Sequence, residues 1–179
     1  RAKFRVRRYG SSDHAFVERK LRTAKILSKR RTAIPLNDLP RLAEMPVDAS
    51  WDASWFARRL ALRRLAPVNQ VSYRRHARVG STPAGPIRLT FDTELTAQPY
   101  TKFGFDPVGG QKVLTASTIV EMKFCVEMPP LFRELTSIFG IVPVPISKYR
   151  LALEALRDSG VRTGIQQYDL RSVMAALPA

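Results

Sequence analysis

Ile87-Arg88-Leu89-Thr90-Phe91-Asp92-Thr93-Glu94-Leu95 alternates two kinds of side chain with a period of two. Successive side chains of an extended strand point to opposite faces. Ile87, Leu89, Phe91, Thr93 and Leu95 therefore go one way, and Arg88, Thr90, Asp92 and Glu94 the other. One face is apolar and the other ionic. The division recurs outward from this stretch. Val120, Met122, Phe124 and Val126 oppose Glu121, Lys123 and Cys125; Lys3, Arg5 and Arg7 fall together, as do Glu18, Lys20 and Arg22, and Tyr73 shares a face with Arg75. Strands are expected over roughly 3–9, 15–22, 70–79, 86–95 and 117–127. Turn-forming residues at 9–13 and 79–86 make the first two strands, and the third and fourth, antiparallel hairpins.

Three helices are expected between and after them. Residues 51–66 place Trp51, Trp55, Phe56, Leu60, Leu62 and Leu65 on an apolar stripe, with Arg58, Arg59, Arg63 and Arg64 elsewhere and Pro67 at the end. Residues 129–139 open on Pro-Pro and stop at Gly140. Residues 148–159 follow Ser147 as the expected N-cap and end at Gly160. The tail from Val161 carries only weak periodicity.

Charge narrows the partners. Thirty Lys and Arg against 15 Asp and Glu leave a formal net charge of +15, which strains a compact state unless anions bind. Nucleic acid, an anionic membrane surface and a phosphate-rich small molecule all satisfy that demand. One cysteine, Cys125, excludes an internal disulfide and a cysteine-rich zinc site, and His14 and His76 are a poor metal pair. A cytoplasmic location is expected on the same ground. No apolar run approaches the length of a membrane span. The strand pattern is already running at Lys3 with no initiator Met before it, so residues upstream are expected.

The alternation itself fits two arrangements. It fits an ordinary sheet whose charged side faces water, and a sheet closed on itself so that cations converge on an extended anion. Carboxylates among those cations need a further role, such as holding a divalent metal that bridges phosphate oxygens. Glu121 is the leading candidate. Asp92 and Glu94 also qualify, or else pair with Arg88 or a Lys on a neighbouring strand.

Arg5-Val6-Arg7-Arg8-Tyr9, Phe16-Val17-Glu18-Arg19-Lys20, Ser28-Lys29-Arg30-Arg31, Ser72-Tyr73-Arg74-Arg75, Ile87-Arg88-Leu89-Thr90-Phe91-Asp92, Val120-Glu121-Met122-Lys123-Phe124 and Ser147-Lys148-Tyr149 stand in this order along the chain. In order and spacing they resemble the VTC domain, named for the vacuolar transporter chaperone complex that makes polyphosphate, within the triphosphate tunnel metalloenzymes. The resemblance spans roughly residues 3–155. It implies an α+β fold: an antiparallel β-barrel of triphosphate-tunnel type with packing helices, lacking the family's N-terminal strands. Residues 1–160 would form this partial domain and 161–179 a C-terminal tail.

The resemblance also implies roles. Arg5, Arg7, Lys20, Lys29, Arg75, Arg88 and Lys148 would bind phosphates, Tyr73 and Ser147 would add hydroxyl donors, and Glu121 would ligate Mn2+ or Mg2+. Arg75, Arg88, Lys148 and Glu121 would be catalytic. The implied reaction moves the terminal phosphoryl group of ATP onto a polyphosphate chain. Hydrolysis of inorganic triphosphate and noncatalytic polyphosphate sensing are the alternatives. ATP, polyphosphate or triphosphate are the expected partners. Nucleic acid ranks last, because the basic residues intermix with strand carboxylates instead of forming a clean stripe.

Overall fold

The computed structural model describes residues 2–160; the expected tail from Val161 lies outside the described residues. The chain divides into two compact units. One comprises residues up to Pro67 with Thr101–Asp106, and the other Val68–Tyr100 and the residues from Pro107 on.

In the first unit, β1 (Ala2–Arg8), β2 (His14–Arg22) and β3 (Leu27–Pro35) form an antiparallel sheet in that order. Phe4, Val6, Ala15, Val17 and Ile34 occupy one face. They pack with Leu39 and Leu42 of a 3-10 helix (Leu36–Ala43) and with Phe56, Ala57 and Leu60 of α1 (Ser54–Leu62). The Phe4 and Phe56 rings meet at 5.6 Å between centroids. α1 is shorter than the expected 51–66. Its buried positions, Phe56, Ala57 and Leu60, follow i, i+1, i+4 spacing, so Leu62 projects outward and is 79% exposed, contrary to the expected stripe. β3 was not expected, because Lys29-Arg30-Arg31 interrupts any two-residue alternation. The structure resolves the conflict: Arg30 lies 4.3 Å from the centroid of the Trp55 ring, which covers the cation on the core side.

In the second unit, β4 (Asn69–Thr82) pairs antiparallel with β5 (Gly85–Pro99), and β5 pairs with both β6 (Gln111–Lys112) and β7 (Ile119–Lys123). β5 is thus central. α2 (Pro130–Ile138) and α3 (Lys148–Asp158) follow. β6 is too short for a sequence pattern and depends on Gly110. That residue has φ +86°, and a Cβ there would stand 2.2 Å from the Ala97 carbonyl oxygen.

Two expectations need correction. The described strands form two antiparallel sheets, and no closed barrel is found among them. A barrel needs a continuous ladder around its wall, and each observed ladder ends within its own sheet. The second correction concerns β5 itself. Ser72 pairs with Thr96 but Arg74 with Thr93, so β5 carries one extra residue in a bulge, where Glu94 has φ +53°. The bulge shifts the alternation. The buried positions run Thr90, Asp92, Leu95, Ala97, and Leu95 does not share a face with Ile87 and Phe91.

Replacing Phe56 with Ala should cost about 3–5 kcal/mol through lost transfer energy and an unfilled cavity. Trp51 and Trp55 are the only tryptophans and both belong to the first unit. Urea unfolding followed by their fluorescence is the check, and a midpoint unchanged from the parent would contradict the assigned core.

Candidate phosphate-binding faces

The expected site residues gather into two clusters, one in each unit. In the first unit the strand register sets Lys3 opposite Lys20 and Lys20 opposite Lys29, with Arg5 opposite Glu18 and Glu18 opposite Arg31 in the next row. Arg7 comes next along β1, opposite Phe16. Directly opposed residues project from the same face. Arg5, Arg7, Lys20 and Lys29 therefore share one face of the sheet, opposite the core. Glu18 is the single carboxylate in these rows. It accepts from Arg5 Nε at 2.7 Å and from Arg5 Nη2, and Arg31 Nε lies 3.3 Å away. The Arg31 guanidinium also sits 3.6 Å from the Phe16 ring centroid. Arg7 Nη1 donates to the Tyr9 hydroxyl at 2.9 Å.

In the second unit the centre of the cluster is Asp92, whose side chain is fully buried. Arg75 stands directly opposite on β4. It donates from Nε to Oδ1 at 2.6 Å and from Nη2 to Oδ2 at 2.7 Å, a bidentate pair. Lys148, the first residue of α3, places Nζ 2.6 Å from the same Oδ2. Both cations lie 5.2 Å from the centroid of the Tyr73 ring. α3 is seated on this face by Ala152 and Leu156, which pack against Ala97. Ser147 occupies the N-cap position, as expected, but its side chain makes no capping bond. Burial would push the Asp92 carboxyl up, yet bonding to Arg75 and Lys148 outweighs it and holds the group below the usual carboxylate range. In return, the bond to Asp92 raises the Arg75 guanidinium beyond its already high value.

Glu121 and Arg88 complete this face. Glu121 pairs in register with Thr90, two positions from Asp92, and its carboxylate is 3.3 Å from Lys123 Nζ. Thr90 is buried, and its hydroxyl finds no hydrogen-bond partner among the described residues. Arg88 lies opposite Lys123, and the two line an open pocket of about 340 Å3 with Val79, Ile87 and Cys125.

Two readings of individual residues change. Asp92 pairs with Arg75 and Lys148, where Arg88 or a Lys on a neighbouring strand was expected; Lys148 comes from a helix remote in sequence. Glu94 pairs with Arg74 at 3.5 Å. His14, exposed, places Nδ1 2.6 Å from Asp13 Oδ1. Asp92 is the residue that sequence reasoning undervalued. Its signal was available in part, since a carboxylate at the centre of a long strand with an Arg on the preceding strand invites a cross-strand pair.

The carboxylates can be tested against the implied divalent metal. Among the described residues, no group of three or more His, Cys, Asp or Glu side chains gathers. Both Asp92 oxygens are engaged by cations, which leaves Glu121, partly exposed with Lys123 Nζ 3.3 Å away. Mg2+ commonly takes one or two carboxylates and completes its shell with phosphate oxygens and water. One hard oxygen donor beside a basic face fits that kind of site.

Residues 1–157 match the family model of the VTC domain. The chain belongs to the VTC domain family. No curated protein and no solved structure matches it. The VTC family is associated with polyphosphate synthesis, is metal-dependent in general, and implies polyphosphate or nucleotide ligands. No helix among the described residues of this VTC domain is long and apolar enough to cross a membrane.

The ion triad has a consequence for acid stability. A carboxyl whose folded pKa is depressed contributes stability above its unfolded pKa and loses it as pH falls through the folded value. The contribution of Asp92 should therefore persist to below pH 4 and vanish in stronger acid. Asp92→Asn should lower the melting temperature at pH 7, and its deficit relative to the parent should shrink as pH drops below the normal Asp value of 3.8. Thermal melts from pH 2 to 7 test this; a deficit independent of pH would mean that the carboxylate charge is not the source.

Proposed function

We propose that this VTC domain is a metal-dependent phosphotransferase of the polyphosphate polymerase kind, moving the terminal phosphoryl group of ATP onto a polyphosphate chain. The observation that carries the reading is the arrangement of Arg75 and Lys148, fixed on one buried carboxylate beside Glu121 and Tyr73. Phosphoryl transfer asks little covalent chemistry of a protein and relies on positioning and charge stabilisation. Fixed cations meet both needs.

In this reading a terminal oxygen of the polyphosphate chain attacks the γ-phosphorus of ATP. The new P–O bond extends the chain, and the bond to the β-phosphate breaks to release ADP. Arg75 retains Nη1 for a phosphate oxygen while Nε and Nη2 stay on Asp92, and Lys148 retains two of its three protons. Ser147 and Lys148 stand at the start of α3, where free backbone N–H groups and the helix dipole favour a phosphate. Tyr73 and Ser147 add hydroxyl donors. Arg88 extends the basic surface along β5, and Arg5, Arg7, Lys20 and Lys29 bind phosphates on the face of the first unit. Glu121 would hold Mn2+ or Mg2+, which would neutralise charge on the phosphate oxygens.

Incubation with ATP and Mn2+, with products resolved by gel beside a Glu121→Ala variant, is the test. Long polyphosphate from the parent, reduced at least about a hundredfold in the variant, is the expected result. Released inorganic phosphate without polymer would favour the triphosphatase reading. Tight triphosphate binding with neither product would identify a sensing module.

A further inference from the structure

We infer that Asp92 is a positioning residue for phosphate binding, holding the Arg75 guanidinium, the Lys148 ammonium and the first turn of α3 in the arrangement that receives the ligand. The inference rests on the functional reading above and assigns a role to a residue outside the phosphate-binding and metal-binding sets.

Three observations support it. First, a fully buried carboxylate beside an anion-binding face opposes anions by its own charge, so its presence needs a compensating purpose. Second, Asp92 spends its two oxygens on two cations from different elements, β4 and α3, at 2.6–2.7 Å. Bidentate contact fixes the plane of the Arg75 guanidinium, and the shared Tyr73 ring restricts the remaining freedom of both cations. Third, α3 begins with a cation, has no acid in its first turn, and receives no side-chain cap from Ser147. A positive residue at a helix N-terminus is unfavourable against the macrodipole, and a nearby anion relieves it. Asp92 supplies that anion from the neighbouring strand. It thereby holds the end of α3 whose backbone N–H groups face the ligand.

The role makes a prediction opposite in sign to simple electrostatics. Removing a negative charge beside two cations should by Coulomb attraction alone tighten the binding of a polyanion. Removing a positioning group should weaken it, because the cations lose their common anchor and repel one another. Asn in place of Asp92 presents an N–H donor toward one of two donors, so it cannot serve both.

The experiment measures the affinity for inorganic triphosphate by calorimetry in the parent, Asp92→Asn, Lys148→Met and the double variant. Asp92→Asn should weaken binding roughly tenfold, the scale on which orienting partners act, and the loss should be smaller in the Lys148→Met background, where only the part that acts through Arg75 remains. Equal losses in both backgrounds would mark a general structural effect and overturn the inference. Unchanged or tighter binding in Asp92→Asn, with weakened binding in Lys148→Met, would also overturn it while leaving the functional reading intact. Triphosphate affinity unaffected by Lys148→Met would remove Lys148 from the ligand site and overturn both.

Should Asp92→Asn fail to fold, the amide of Leu151 decides. It donates to the Ser147 carbonyl at 3.0 Å and reports the first turn of α3. Faster hydrogen exchange there in ligand-free Lys148→Met than in the ligand-free parent is expected, and equal rates would overturn the inference.

Discussion

The burial of the Asp92 carboxylate constrains the second unit more than any other interaction. An ionised group out of reach of water is tolerated only when paired and hydrogen-bonded. The register of β4 on β5 supplies Arg75 directly across the strand. The second oxygen needs a further donor, and it comes from Lys148, more than fifty residues later in the chain. α3 must therefore start beside the centre of β5, and the packing of Ala152 and Leu156 against Ala97 continues in the same direction along the strand. Electrostatic satisfaction and apolar burial thus specify one placement of the helix. Agreement between the two levels is what allows a costly buried ion triad to persist.

The bulge at Glu94 connects these two requirements. Without it, strict alternation would put Asp92 and Ala97 on opposite faces, and α3 could not engage both. One additional residue, with Glu94 in the left-handed region, restores a common face. This also explains how much of the fold and site the sequence disclosed. The β4–β5 hairpin, the ionic stripe of β5 and the start of α3 at Lys148 were legible, because periodicity and turn residues are local signals. The reversal of alternation between Asp92 and Leu95 was not, since nothing in Asp92-Thr93-Glu94-Leu95 departs from a regular strand pattern. The pairing of Asp92 with Lys148 escaped for a related reason: it depends on where a distant helix docks. β3 was hidden by three consecutive cations whose opposite orientations become sensible only once Trp55 is placed over Arg30. Closure into a barrel came from the resemblance, as no alternation pattern distinguishes a closed sheet from an open one.

The two basic faces solve different physical problems. On the first unit, Lys20 stands between Lys3 and Lys29 in one row, an arrangement that like-charge repulsion disfavours. Glu18 relieves the adjacent row by bridging Arg5 and Arg31; its own side chain is mostly buried, but the two guanidiniums are about half exposed, so their attraction is screened by water and salt. Such a surface attracts a polyanion from a distance and remains tolerant of its exact position. In the second unit Arg75 and Lys148 are mostly buried and held on Asp92, so little reorganisation of these two cations remains when an anion meets them.

That difference bears on how a single carboxylate can help an anion-binding protein. Glu18 and Asp92 each join two cations, yet only Asp92 is fully removed from water and has mostly buried partners. Beside half-exposed guanidiniums the acid chiefly lowers net charge. In the buried setting it sets direction: Arg75 is held by the side of its guanidinium that bears Nε and Nη2, and Lys148 by one of its three protons, which turns the remaining donors away from Asp92. A positive face gains attraction from every added cation, but orientation requires something for the cations to hold. The physical value of Asp92 is therefore greatest where the ligand's own charge is already well matched, because attraction is then abundant and geometry is the scarce quantity.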